Sequence, residues 1–312
     1  MQQIEFRAMG CQMLAAIDSD NPHLTSRLAE VPAWFEAWEQ RFSRFREHSE
    51  LNQLNQRSGQ LQPVSSLMSD VLRAALRAQR TSAGLVSPLL LAALEEAGYD
   101  RSFEQMHAST HSLEQPLAHP ASDVQPTMPE RPLHLDSSRR MLFLPPGARL
   151  DLGGIVKGWA ADRAAQRLGR HAPALVDAGG DIAVSAPQAG GDPWPVGVAD
   201  PHNPANQLDL LLISRGGVAT SGRDVRHWQR GRTLLHHIID PRTARPALTD
   251  LLSVTVAAPS AQAAEAAAKT VFILGSVEGF AWLNARPSLA GLLVLEDGEP
   301  LYSRNWLAHI WR

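Results

Sequence analysis

Between residues 24 and 42, Leu28, Val31, Phe35, Trp38 and Phe42 recur at every third or fourth position with polar side chains between them, which predicts one amphipathic helix. Before it, 4–17 alternates like an opening strand, kinked at Gly10. A second helical spacing covers 65–82, with Ser65 or Ser66 placed to cap its first turn. Beyond residue 140 the pattern changes. Short β-rich runs at 141–144, 174–176, 196–198, 208–213, 233–239, 253–257 and 289–295 are separated by glycine-rich turns, and helices are predicted only at 156–168 and 261–274. Strands that cluster with few helices between them favour an α+β fold over a doubly wound sheet. From 106 to 132 the composition shifts to His, Pro, Ser and Gln without period, predicting a surface loop or insertion.

The length of 312 residues allows one large domain or two closely packed ones, and 44% hydrophobic residues can fill a sizeable core. A net charge of -3 provides no field for a polyanion, so no nucleic-acid partner is expected. Cys11 is the only cysteine, which excludes an intrachain disulfide and a cysteine zinc site, and a buried hydrophobe is its expected role. Trp34, Trp38, Trp159, Trp194 and Trp228 read as core. The first residues lack a basic stretch followed by an apolar run, and the longest apolar run, 85–94, is broken by Ser87 and Pro88. A cytoplasmic protein with no membrane span is therefore expected.

Three glycine-rich segments are candidate ligand turns: Asp151-Leu-Gly-Gly-Ile-Val-Lys157-Gly, Asp177-Ala-Gly-Gly-Asp181 and Gly216-Gly-Val-Ala-Thr220-Ser221-Gly222. Glycine lets backbone N–H groups approach an anion, and Lys157 sits where a helix opens, as a phosphate contact or as a solvated lysine. None matches GxGxxG or a P-loop. His236 and His237 end a strand; neighbours on a strand point to opposite faces, so at most one of them serves a given site as base. Asp240 precedes a proline, where aspartate caps turns. Glu265 and Lys269 share a helix face, as a surface pair or as a pair facing an anionic ligand.

Together these segments resemble the FAD:protein FMN transferases of the ApbE family. The resemblance runs along nearly the whole chain: Met9-Gly10; Phe42-Ser43-Arg44-Phe45 with Ser49-Glu50-Leu51-Asn52 and Asn55; the Asp151 and Asp177 segments; Ala219-Thr220-Ser221-Gly222; His237-Ile-Ile239-Asp240-Pro-Arg-Thr243; and Ser253-Val-Thr-Val leading into a helix that ends at Leu274-Gly275. It implies an ApbE-like fold of mixed sheets flanked by helices over the single domain 1–312, with FAD in a cleft between two lobes. Its implied activity moves FMN from FAD to a Thr or Ser hydroxyl of an acceptor flavoprotein and releases AMP. Carried over, Met9, Ser43, Arg44, Phe45, Leu85, Val86 and Ser87 line the flavin and adenine pockets. Asp151 and Lys157 hold the nucleotide, Thr220, Ser221 and His237 lie near the diphosphate, and Gly222, Ile239, Asp240 and Lys269 are further cofactor-binding candidates. His237 is the implied base.

The family's metal helix, Ala-Asp-x-x-x-Thr, implies Mg²⁺ held by its Asp and Thr with a carbonyl at the Gly154 position. Here Glu265 and Lys269 take those two places. An ammonium repels a metal, so Gly154 and Glu265 remain as candidate ligands and Lys269 is expected on the diphosphate in the cation's stead. Ser87 stands where Asp is common, and Ala244 where Gly follows Thr243. The altered helix also admits an FAD-storage protein or an FAD pyrophosphatase.

Overall fold

The computed structural model describes residues 1–108, 133–231 and 233–308, and the chain divides into two compact units, one of 1–39, 155–224 and 248–312 and one of 40–154 and 225–247. The predicted loop at 106–132 lies outside the described residues from 109 onward; 106–108 close the helix Phe103–Ala108.

The first unit is built on one sheet. Its strands are β1 (Gln2–Ala8), β2 (Cys11–Ile17), β3 (Ala174–Ala178), β4 (Asp181–Val184), β5 (Gly216–Gly222), β6 (Leu251–Ala258), β7 (Ala290–Leu295) and β8 (Pro300–Tyr302). They lie side by side in chain order, and each neighbouring pair is antiparallel. The α+β class stands, but the strand pairs described are all antiparallel where mixed sheets were expected. Helices α1 (Val156–Leu168) and α2 (Ala261–Asn284) pack on one face. On the other, the hairpin Trp194–Ala199/Gln207–Ile213 and Trp306 share a core with Val218, Leu292 and Val294. Because side chains alternate along a strand, Asp181, Gly217, Ala219 and Ser221 belong to the helix-covered face.

Several sequence expectations are revised. The strand at 4–17 is a hairpin, because Met9 (φ 50°) and Gly10 (φ 68°) both adopt the left-handed conformation of a two-residue turn that matches strand twist. The helix at 24–42 breaks at Glu30 into Thr25–Ala29 and Val31–Phe42, since Pro32 cannot donate to residue 28. Its stripe nevertheless holds: Leu28, Val31, Phe35, Trp38 and Phe42 are all buried. The segment Gly216–Gly222 is a strand, β5, not a turn. Helix α2 continues past Leu274 to Asn284 through a break at Gly275 (φ 80°). It thereby becomes, among the described residues, the helix long and apolar enough to cross a membrane, although half of its most apolar window is buried in the fold. Cys11 is half-buried. Trp34 is also half-buried, under the Arg167 guanidinium, while Trp38, Trp159, Trp194 and Trp228 are core.

The second unit carries short helices, Glu50–Gln56, Ser66–Thr81 and Leu91–Glu96 among them, and an antiparallel three-stranded sheet of Leu61–Pro63, Met141–Phe143 and His134–Asp136. Ser65 caps its helix as expected, accepting from Met68 N at 3.1 Å. The predicted strand 233–239 is interrupted: Thr233–His236 pairs with His227–Arg230, and Ile239–Asp240 pairs with Arg245–Pro246. Leu94, Tyr99, Trp228, Leu235 and Ile239 form its core here, and Trp228 Nε1 donates to Ala97 O at 2.9 Å.

Candidate functional site

The candidate residues fall into two sets, one in each unit. In the first, the turn between β3 and β4 puts Gly179 and Gly180 at φ 67° and 92°, and Gly180 N donates to Asp177 Oδ1 at 2.7 Å. This tight reversal delivers Asp181 to the start of β4, where it is 1% exposed. Lys157, in the first turn of α1, donates to Asp181 Oδ2 at 2.6 Å. One turn apart on α2, Lys269 Nζ donates to Glu265 Oε1 at 3.0 Å. Sequence spacing left this pair open between surface and site; Glu265 is buried, which removes the surface reading.

The two helices cap each other. Glu265 Oε2 accepts Gly158 N–H of α1 at 3.1 Å, and Asp162 accepts Ala261 N–H at 2.8 Å and Gln262 N–H at 3.0 Å of α2. First-turn N–H groups have no partner inside their own helix, so each carboxylate satisfies donors the other helix leaves open. The crossing is close because Gly158 has no side chain: a Cβ there would lie 2.9 Å from the Ala261 backbone.

Burial raises three of these carboxyls. Asp181 is pushed up to about 6 by desolvation; Lys157 and Lys269 oppose the shift and Glu265 adds to it. Asp177 is raised by burial, against the Gly180 hydrogen bond and Lys157. Asp162 also reaches about 6 by burial, against its two backbone donors. A carboxyl raised in the folded state binds its proton more tightly there, so its contribution to stability is full at low pH and is lost as pH climbs from about 4 to about 6. For Asp162 the loss is roughly 3 kcal/mol. Asp162→Asn keeps one acceptor and removes the titration, so the stability gap between wild type and variant should shift in the variant's favour between pH 4 and 7. Urea midpoints at the two pH values measure it; a gap moving the other way means the helix-terminus field outweighs burial.

A divalent cation does not fit this set. Both Glu265 oxygens are engaged, one by an ammonium and one by a backbone N–H, and no group of three His, Cys, Asp or Glu able to hold a metal occurs among the described residues. Thr220 and Ser221 point to opposite faces of β5. Thr220 Oγ1 bonds Thr255 Oγ1 at 2.8 Å, whereas Ser221 is buried on the face that carries Asp181. Gly222 closes the strand, with Asp224 Oδ1 where a Cβ would stand. Met9 N–H, at the tip of the first hairpin, donates to Glu39 Oε2 at 2.7 Å.

In the second unit, Arg44 Nε lies 3.2 Å from Asp151 Oδ2, and its guanidinium stacks over the Phe45 ring at 4.4 Å and the Tyr99 ring at 4.5 Å. The Arg44 side chain is 7% exposed, and its buried Nη2 has no hydrogen-bond partner among the described residues. Leaving a buried guanidinium donor unmet is unfavourable, so this nitrogen marks a place for a ligand oxygen or ring nitrogen. Ser43 Oγ accepts Phe45 N–H at 3.2 Å and holds the segment in its turn. Leu85 and Val86 are buried, and Ser87 Oγ accepts Leu89 N–H.

His236 ends its strand buried, with Nε2 3.1 Å from Ala247 O. His237 lies just past that strand, half-buried, with Nδ1 3.3 Å from Arg226 O. A carbonyl only accepts, so Nδ1 donates in this bond, and whenever the ring is neutral its lone pair lies on Nε2, the nitrogen that can then act as a base. Asp240 is taken up by Arg242, accepting its N–H at 2.9 Å and pairing with its guanidinium at 2.8 Å, and Ile239 is core. Ala244 holds φ 55°, a left-handed position that glycine occupies without strain. Sequence reasoning passed over Tyr99 and Asp162 as site residues and named Asp181 only as the end of a candidate ligand turn. Asp181 follows a Gly-Gly turn that could have singled it out, whereas nothing local marks Tyr99.

A family model for the ApbE family matches residues 9–293. The chain belongs to the ApbE family. The FAD:protein FMN transferase of Escherichia coli K12 is 26% identical over 311 residues, covering 98% of this ApbE chain and 86% of that protein. The FAD:protein FMN transferase of Treponema pallidum is 39% identical over 162 residues; this match spans 48% of the chain and 45% of that relative. Among solved structures, the ApbE protein of Thermotoga maritima matches with a TM-score of 0.81 at 24% identity, covering 100% of this chain and 99% of that one. Flavinyl transferase ApbE of Pseudomonas stutzeri matches with a TM-score of 0.76 at 20% identity, over 97% and 94%. These structural matches establish an ApbE fold.

Proposed function

We propose that the chain transfers FMN from FAD to a threonine or serine hydroxyl of an acceptor protein and releases AMP. The near end-to-end match to the E. coli FAD:protein FMN transferase carries this reading. Arg44 supports it locally, since a buried guanidinium between two rings with one unmet donor suits a flat ligand bearing oxygens and ring nitrogens. In this reading Ser43–Phe45 and Leu85–Ser87 contact the flavin nucleotide, and Asp151 orients Arg44. The acceptor oxygen bonds to the FMN phosphorus as the bond to the AMP oxygen breaks, and the hydroxyl proton passes to His237 Nε2. A hydroxyl attacks poorly until a base takes its proton. Ammonium groups and backbone N–H donors offset the diphosphate's charge.

Incubating the protein with FAD and a threonine-bearing acceptor peptide tests the proposal by mass spectrometry. A covalent FMN adduct on the peptide, with AMP released, is the expected result. Free FMN and AMP without an adduct would make the protein a pyrophosphatase, and intact bound FAD a carrier. Arg44→Leu should raise the FAD dissociation constant at least ~10-fold, because it removes a charged donor and a stacked cation together. Flavin fluorescence quenching reads this directly, and an unchanged constant would move the ligand away from Arg44.

A further inference from the structure

We infer that this chain carries the cation of its diphosphate subsite as a side chain, the Lys269 ammonium on α2, and binds FAD without a divalent metal. The inference rests on the proposed flavin reading and concerns its charge balance. Glu265 is 1% exposed and both its oxygens are committed, Oε1 to Lys269 at 3.0 Å and Oε2 to Gly158 N–H at 3.1 Å. A metal reaching this carboxylate would share oxygens that already accept a hydrogen bond each, one of them from an ammonium. An ammonium and a divalent ion also repel at contact distance.

Two ion pairs stand here, Lys157 with Asp181 and Lys269 with Glu265, and the field of Lys269 reaches Asp181 as well as Glu265. Asp177, near Lys157, and Asp162, near Glu265, are further carboxyls of the set. Lys269 holds 16% side-chain exposure, whereas Glu265 holds 2%. The ammonium thus stands on the accessible side of the pair, with three protons of which Glu265 takes one. Glu265 orients it, and the remaining protons are available to phosphate oxygens.

Two measurements test this on the full-length protein. The first is Mn²⁺ electron paramagnetic resonance, with and without FAD. Wild type should leave Mn²⁺ unbound at equimolar concentration; stoichiometric Mn²⁺ binding that Glu265→Gln abolishes would overturn the inference. The second is FAD titration in EDTA and in Mg²⁺. Wild type should show dissociation constants within about twofold of each other, as should Lys269→Arg, which keeps the charge. A loss of more than ~10-fold in EDTA would overturn the inference while leaving the flavin reading intact. Absence of FAD binding under both conditions would instead remove the flavin reading, with the Mn²⁺ arm still deciding the metal question. The double variant Glu265→Asp/Lys269→Thr should acquire Mn²⁺ binding and lose at least ~10-fold in FAD affinity when EDTA is added. If that variant fails to fold, the wild-type titrations decide alone.

Discussion

His237→Ala is expected to lower FMN transfer by about 10²–10⁴-fold while the FAD dissociation constant stays within about twofold, because general-base help of this size is lost and no cofactor contact is. The geometry assigns the lone pair: Nδ1 is tied to the Arg226 carbonyl, leaving Nε2 as the basic nitrogen. His236 supplies the contrast. Its ring is buried, held by the Ala247 carbonyl and the Ile238 N–H, so His236→Ala should lower the melting temperature before it alters chemistry. Single-turnover transfer to an acceptor peptide, read by mass spectrometry beside a fluorescence titration of FAD, separates the two. A His237→Ala protein that transfers at the wild-type rate would end its role as base.

The second large effect concerns folding. Gly217→Ala is expected to cost at least about 3 kcal/mol, the upper range for overpacking, and to lower the melting temperature by roughly 5 °C or more. A Cβ at Gly217 would lie 2.2 Å from Ala261 N, 2.5 Å from its Cα and 2.7 Å from Ile182 O. All three are backbone atoms, so no side chain can turn aside. The start of α2 would have to lift from β5, and the reciprocal capping by Glu265 and Asp162 would loosen with it. Gly180→Ala makes the control: nothing lies within 4 Å of its Cβ, and only its φ of 92° opposes the change. Differential scanning calorimetry ranks the two. Equal losses would mean that the start of α2 yields to the added methyl at little cost, since Gly217 has no positive φ that would itself require glycine.

These positions also separate what local sequence carries from what packing decides. Apolar spacing located the core stripe from Leu28 to Phe42, the capped helix after Ser65, and α1 at Val156–Leu168, because each element's buried face is written in its own period. Spacing also put Glu265 and Lys269 on one helix face. It could not tell a solvated pair from a buried one, since that depends on α1 lying across α2, a contact between residues roughly a hundred positions apart.

The glycines show the same division. Composition marks Gly179-Gly180 and Gly216-Gly217 alike as flexible turns; the structure makes the first a hairpin turn and the second a strand that a helix crosses. Arg44 was legible as a candidate from its motif, but its unmet Nη2 and its Tyr99 partner exist only once distant segments converge. Periodicity and capping chemistry are local and set by the sequence by itself, as are the residue types that bear chemistry. Burial, ion-pair partners and histidine tautomer are long-range outcomes, decided by the tertiary structure because solvent exclusion and hydrogen-bond geometry arise only between packed elements.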